Sequence, residues 1–258
     1  MAEFRGEDLR GSHFERVDLR GSEFFASHLS EARFRGVDLH RVVMRGVELA
    51  HVDITGDILD LTINGVDVAP YVEAELDRRY PARVKMRPND PDGFGEAWDL
   101  LEDLWDGTVE RARGLDPDLL HESVDGEWSF TETLRHLMFA TDAWVRRVIL
   151  GDPAPWDLLD LPWDEMPDMP GIPRDREARP SLDVVLDLRR DRMATVREVI
   201  DGLTDEMLAS DTEPVDAPGW PPPRSFPVHQ CLRIVLNEEW EHRRFAERDL
   251  AVLEAQGT

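Results

Sequence analysis

Glu238 and His242 stand four residues apart in a stretch that reads Asn237-Glu-Glu-Trp-Glu-His242. Apolar or small residues recur around them at Val228, Cys231, Leu232, Val235, Leu236, Phe245, Ala246, Val252 and Leu253. That spacing predicts a long amphipathic helix with one buried stripe. Residues four apart leave one helix face, so the carboxylate and the imidazole can reach one atom. Both fall where the stripe should stay apolar, and charged groups there must be paired, neutralised or bound to a metal. His136, isolated on the apolar side of another predicted helix, is the candidate third ligand. Three N and O donors with an open position make a catalytic site for zinc or a similar ion, with nickel, iron or manganese as alternatives. The competing readings are structural. His136 could be a hydrogen-bonded core histidine, and Glu238 and His242 could pair with each other, Arg243 or Arg248.

The helices that must position these groups are written in the C-terminal two thirds. Phe94, Trp98, Leu101, Trp105, Val109 and Ala112 mark a first long helix that ends near Gly114. Ser129 and Glu132 have the spacing of a capping box and open a second, running through His136 and Trp144 to Gly151. Ser181 and Leu182 open a third, which ends at Gly202. A short helix is expected at 204–209, and the fourth long helix at about 228–255. Between the second and third lies a loop, 152–180, with seven prolines and the tryptophans Trp156 and Trp163. A second proline-rich loop, 210–227, holds Trp220. Loops this long are often lids or pocket walls. Four long helices so joined predict a four-helix bundle with a metal site in its core. Trp128, Trp156, Trp163 and Trp220 are candidate pocket residues, whereas Trp144 reads as core. His121 and His229 precede helices and read as surface histidines, with a place near the pocket mouth as the alternative.

The N-terminal segment follows another rule. Phe4, Leu9, Phe14, Leu19, Phe24, Leu29, Phe34, Leu39, Met44, Leu49 and Ile54 occupy every fifth position. Small or β-branched residues such as Ser12, Val17, Ser22 and Val37 precede them by two. A period of five fits a chain that turns a corner after each short extended segment, with the large and small residues facing inward. This pattern resembles the pentapeptide-repeat family over residues 2–56, which implies a short right-handed quadrilateral β-helix. Leu59 to Val68 alternates apolar and polar residues around Asn64-Gly65 and reads as a hairpin cap. Pro70 opens a helix to about residue 79, and the prolines of 80–92 mark a linker. The expected organisation is thus a β-helix with cap at 1–68, a helix and linker at 69–92, and the bundle at 93–258.

The formal net charge of -25 opposes generic binding to nucleic acid or acidic membranes. Residues 1–54 hold ten acidic side chains and eight arginines, too balanced for a DNA mimic. The repeat reads as a stabilising appendage, with partner docking as its alternative. No signal peptide or bilayer-spanning run is visible, so the expectation is a soluble cytoplasmic protein. Cys231, the single cysteine, excludes an internal disulfide framework and reads as a core thiol.

The stretches Trp128-Ser-Phe-Thr-Glu-Thr-Leu-Arg-His-Leu137 and Val235-Leu-Asn-Glu-Glu-Trp-Glu-His-Arg-Arg-Phe-Ala-Glu-Arg-Asp-Leu250 resemble the two signatures of the DinB-like superfamily. The resemblance covers roughly residues 94–255. It implies a four-helix metalloprotein with three ligands, which fall on His136, Glu238 and His242. The usual first histidine of the last pair is Glu238 here, a variant of the mycothiol-dependent maleylpyruvate isomerase branch. The resemblance further implies a metal-dependent thiol S-transferase or isomerase with a thiol such as mycothiol or bacillithiol and a small-molecule substrate. A homodimer is compatible with it. The rival is a non-catalytic interaction protein whose repeat docks a partner.

Overall fold

The computed structural model describes residues 3–256. The chain divides into two compact units, residues 1–52 with 164–166 and residues 53–163 with 167–258.

In the repeat, the backbone adopts a left-handed conformation at every fifth residue, from Gly6 and Gly11 through Arg16, Gly21 and Ala26 to His51 and Gly56. At alternate corners the turn closes with a backbone hydrogen bond, as from Ser12 N–H to the Leu9 carbonyl (3.1 Å) and from Ser22 N–H to Leu19 (3.0 Å). The corner period expected from the sequence is therefore built into the chain. The packed interior is not. The large residues expected to face inward are exposed, from Leu9 at 45% to Phe24 at 65%. Inward side chains are covered only when successive coils stack at strand spacing through hydrogen bonds. Among the described residues no backbone bond joins one coil to the next, so the row stays open.

The expected hairpin is present and short: β1 (Thr62–Ile63) pairs antiparallel with β2 (Val66–Asp67), Ile63 opposite Val66. Asn64 and Gly65 both have positive φ, 51° and 82°, the signature of the tight hairpin turn that Asn-Gly favours. Helix α1 (Ala69–Arg79) follows with proline in its first turn. The segment read as a linker folds into a 3₁₀ helix, Pro81–Met86, and buries Met86 in the core of the helical unit.

Four long helices build that unit: α2 (Pro91–Arg113), α3 (Phe130–Thr141), α4 (Leu182–Asp201) and α6 (Val228–Gln256). The short α5 (Asp205–Leu208) precedes the second proline-rich loop. A further 3₁₀ turn spans Pro117–His121. Helix α3 packs on α4 and α6, and α2 on α6 and α4. Phe94, Trp98 and Leu101 of α2 meet Leu232, Val235, Leu236 and Trp240 of α6 in the main core. Among the described residues, no helix is long and apolar enough to cross a membrane.

The start of α3 is fixed by the capping box read from the sequence. The Glu132 N–H donates to Ser129 Oγ (3.3 Å), and Ser129 N–H donates back to the Glu132 carboxylate (2.8 Å). Ser129→Ala should cost about 1 kcal/mol, measurable by urea denaturation. Beyond Thr141 the helix widens into a π segment, Asp142–Ile149, a break in helical period that the sequence pattern does not announce.

Candidate metal centre

His136 comes from the middle of α3, where it is buried, and Glu238 and His242 from the centre of α6. The structure brings the three together: one ligand atom from each lies within 4.8 Å of the others. Glu238 Oε2 is the shared point, 3.1 Å from His242 Nε2 and 3.5 Å from His136 Nε2. Its side chain is 31% exposed, so the cluster opens to solvent on one side.

The tautomer of His136 decides what the cluster can hold. Its Nδ1 lies 2.9 Å from the Leu161 carbonyl, which can only accept. Nδ1 therefore carries the hydrogen, and Nε2 points its lone pair at a carboxylate oxygen. Two acceptors facing each other need a cation between them, either an added proton or a metal ion. Burial pushes the Glu238 carboxyl up, but hydrogen bonds donated by the two rings, with the added proton on His136 Nε2, outweigh it and hold Glu238 below the usual carboxylate range. Two imidazole nitrogens and an anionic carboxylate oxygen fit a divalent ion of the zinc type. Of the structural alternatives, the pairing of Glu238 with His242 and the hydrogen bond of a core His136 are both present, whereas the arginine pairings lose their partners. Arg243 donates to the Leu104 carbonyl (3.0 Å) and Thr108 Oγ1 (2.9 Å), and Arg248 pairs with Asp249 (2.6 Å).

Aromatic rings surround the cluster. Trp128 lies 4.4 Å from the His136 ring and stacks on His242 at 5.6 Å. Phe139, one turn along α3 from His136, contacts Trp156 (5.3 Å) and Trp163 (6.2 Å). Trp163 meets Trp220 edge-on at 5.1 Å, joining the two proline-rich loops. The four tryptophans singled out as pocket residues are thus linked to the two histidines by ring contacts. Trp144 instead packs on Phe226 beside the core, as expected. His121 is outside the cluster, while His229 lines a surface depression that includes Glu238, Arg233 and Asn237. Cys231 is fully buried, and burial pushes its thiol up to about 12, so it is a core residue and no nucleophile.

Two buried arginines hold the loops, and sequence patterning gave no sign of them. Arg135, beside His136, donates to the carbonyls of Leu159 (2.8 Å), Ala178 (3.2 Å) and Asp175. Arg147, on the π segment, donates to Pro153 (3.0 Å) in the first loop and Ala217 (2.5 Å) in the second. Burial lowers the pKa of both guanidiniums. Arginine at helix spacing reads as surface. The only hint was a proline-rich segment after each helix, whose carbonyls lack strand partners and need donors.

A family model of the DinB superfamily matches residues 100–246, more than half of the chain and all three clustered residues. The chain belongs to the DinB superfamily. A pentapeptide-repeat model matches residues 22–56 in eight copies, so the chain joins repeats to a DinB domain. No curated protein and no solved structure matches it.

Within this DinB domain the second loop approaches Arg147 closely at Gly219. A Cβ there would lie 2.9 Å from the guanidinium carbon and Nη1, at a φ of +147° that side chains rarely adopt. Arg147 is pinned by its carbonyls and cannot yield. Gly219→Ala should cost about 2 kcal/mol in thermal or urea unfolding, and free the loop that carries Trp220.

Proposed function

We propose that this DinB protein is a metal-dependent S-transferase that joins a low-molecular-weight thiol, of the mycothiol or bacillithiol type, to a small-molecule acceptor. The observation that carries the reading is the donor set: His136 Nε2 and His242 Nε2 converge on one oxygen of Glu238. Zinc is the ion of choice, and nickel, iron or manganese also accept imidazole and carboxylate. A divalent ion held there would supply Lewis-acid chemistry, lowering the thiol's pKa so that a thiolate exists at neutral pH. The chain does the rest. Leu161 orients His136 through its carbonyl, and Trp128 covers both imidazoles on one side. Trp156, Trp163 and Trp220 offer half-buried ring surface against which the apolar part of an acceptor can pack. The repeats, on this reading, become a right-handed quadrilateral β-helix once successive coils stack and cover the row from Phe4 to Ile54, and then stabilise a cytoplasmic enzyme.

Metal analysis and a thiol-binding assay test it. Mycothiol or bacillithiol at a hundredfold its dissociation constant should add about 2.7 kcal/mol of apparent stability to the metal-loaded protein. Loss of metal should abolish that gain. A second reading, a non-catalytic protein whose repeat docks a partner, is favoured by the exposed apolar row from Phe4 to Ile54. It gains if purified protein takes up no metal and responds to neither thiol.

A further inference from the structure

Asp142 opens the π segment after α3, and Asp160 lies in the first proline-rich loop, yet both carboxyls are fully buried. Their four oxygens can be accounted for one by one. Asp142 Oδ2 accepts from Arg192 Nη2 (2.9 Å) and Nε (3.2 Å), reaching across from α4. Asp160 Oδ2 accepts from the Asp157 N–H (3.1 Å). The Oδ1 atoms of both are buried without a hydrogen-bond partner, and the two side chains are placed to hydrogen-bond each other once one of them is protonated. Two carboxylates cannot hydrogen-bond, so one of them must carry a proton. Arg192 and Arg146, whose Nε is 3.4 Å from Asp142 Oδ1, favour charge on Asp142. Arg192 and the Asp157 N–H also favour charge on Asp160, but less than its burial and the facing Asp142 carboxyl oppose it. Burial first, and then the Asp142 charge, push Asp160 up to about 9.

The residue after Asp160 is the one that orients the proposed metal centre. Leu161 accepts from His136 Nδ1 through its carbonyl and donates its N–H to the Arg135 carbonyl (3.3 Å). A loop held at Asp160 therefore presents the Leu161 carbonyl at a fixed place against α3. We propose that the Asp160–Asp142 hydrogen bond is a latch that positions His136: it pins the loop so that Leu161 selects the ring tautomer with Nε2 free to face Glu238. Asp160 is a positioning residue, acting through Leu161. The inference rests on the metal-centre reading for its purpose, but the latch itself can be read without metal.

The test uses the full-length wild type, Asp160→Asn and Asp160→Ala. Asparagine keeps a donor toward Asp142 and an acceptor toward Asp157, so it should preserve the latch; alanine removes it. Long-range proton–nitrogen NMR of metal-free protein reads the His136 ring directly. Wild type and Asp160→Asn should show Nδ1 protonated in a single hydrogen-bonded state, whether or not Nε2 carries the added proton, and Asp160→Ala a mixture that includes rings with Nδ1 bare. With zinc alone as probe, Asp160→Ala should bind about 10- to 100-fold more weakly, and Asp160→Asn within a few-fold of wild type. A single state with Nδ1 protonated in Asp160→Ala overturns the latch. Should that variant not fold, wild type and Asp160→Asn decide by pH. A raised acid pKa favours the protonated fold, so stability is full below the ordinary carboxylate range and declines as pH rises toward about 9. Wild type should lose its fixed tautomer above that pH while Asp160→Asn keeps it; parallel loss in both overturns the proposal. Zinc failing to bind wild type while the tautomer pattern holds sinks the metal reading and leaves the latch standing.

Discussion

His242→Ala is expected to take bound metal from one equivalent to none, with the fold intact. The imidazole is partly exposed at the edge of the cluster, so its removal opens no large cavity. What it removes is one of three donors, and the remaining His136 and Glu238 leave an ion with too few protein ligands to compete with water. His136→Ala should do the same at a higher cost in stability, because it also strands the buried Leu161 carbonyl. Glu238→Gln keeps the shape but not the charge and should weaken binding less than either. An ion present at about a thousandfold its dissociation constant stabilises the folded state by about 4.1 kcal/mol. That increment should vanish both in His242→Ala and in wild type treated with a chelator, and the two unfolding curves should coincide. Because ligands must shed protons, binding should weaken as pH falls. Stoichiometric metal in purified His242→Ala would end the assignment of this cluster as the site.

Why this cluster was legible while its surroundings were not follows from how each is encoded. Glu238 and His242 are a local pair: helix geometry alone puts them on one face, and two polar residues on an apolar stripe stand out. The Ser129–Glu132 cap and the Asn64-Gly65 turn are equally local, and each folds as its residue types require. The carbonyl that fixes His136 belongs to Leu161, a side chain with no polar signal of its own. The Asp142–Asp160 pair and the arginine clamps join residues whose proximity depends on the path of two irregular loops. Helical period cannot report that path. The repeat shows the opposite limit. Its period of five set the corner at every fifth residue, but covering Phe4 or Leu19 depends on coil-to-coil hydrogen bonds that the period alone does not supply.

Next to Glu238 stands the carboxylate that sequence reasoning passed over, and its removal should be the most damaging single change to stability. Glu239 is 1% exposed and Arg189 of α4 3%. The guanidinium donates from Nη1 to Oε1 (3.0 Å) and from Nη2 to Oε2 (2.5 Å), and its carbon lies 4.6 Å from the centre of the Trp105 ring. The planar fork matches both oxygens at once, the geometry in which arginine recovers most of its lost hydration. Glu239→Ala leaves that guanidinium buried without a counter-charge, which costs about 3–5 kcal/mol. Arg189→Ala strands the carboxylate and should cost a similar amount. The pair as a whole is a different matter, since each ion also forfeits its water. Arg189→Met combined with Glu239→Leu fills the same space without charge and should recover most of the loss, to within about 1 kcal/mol of wild type. Urea unfolding of the four proteins compares the cost of stranding either ion with the cost of replacing both. A Glu239→Ala cost below about 1 kcal/mol would mean that water reaches Arg189 and that the pair is not dry. Because the pair ties α4 to α6 one residue from Glu238, the double variant also separates stability from function. If Glu239 only holds the helices together, metal affinity should return with stability. If the ion pair's field matters to the neighbouring carboxylate, affinity should stay low in a protein that is stable again.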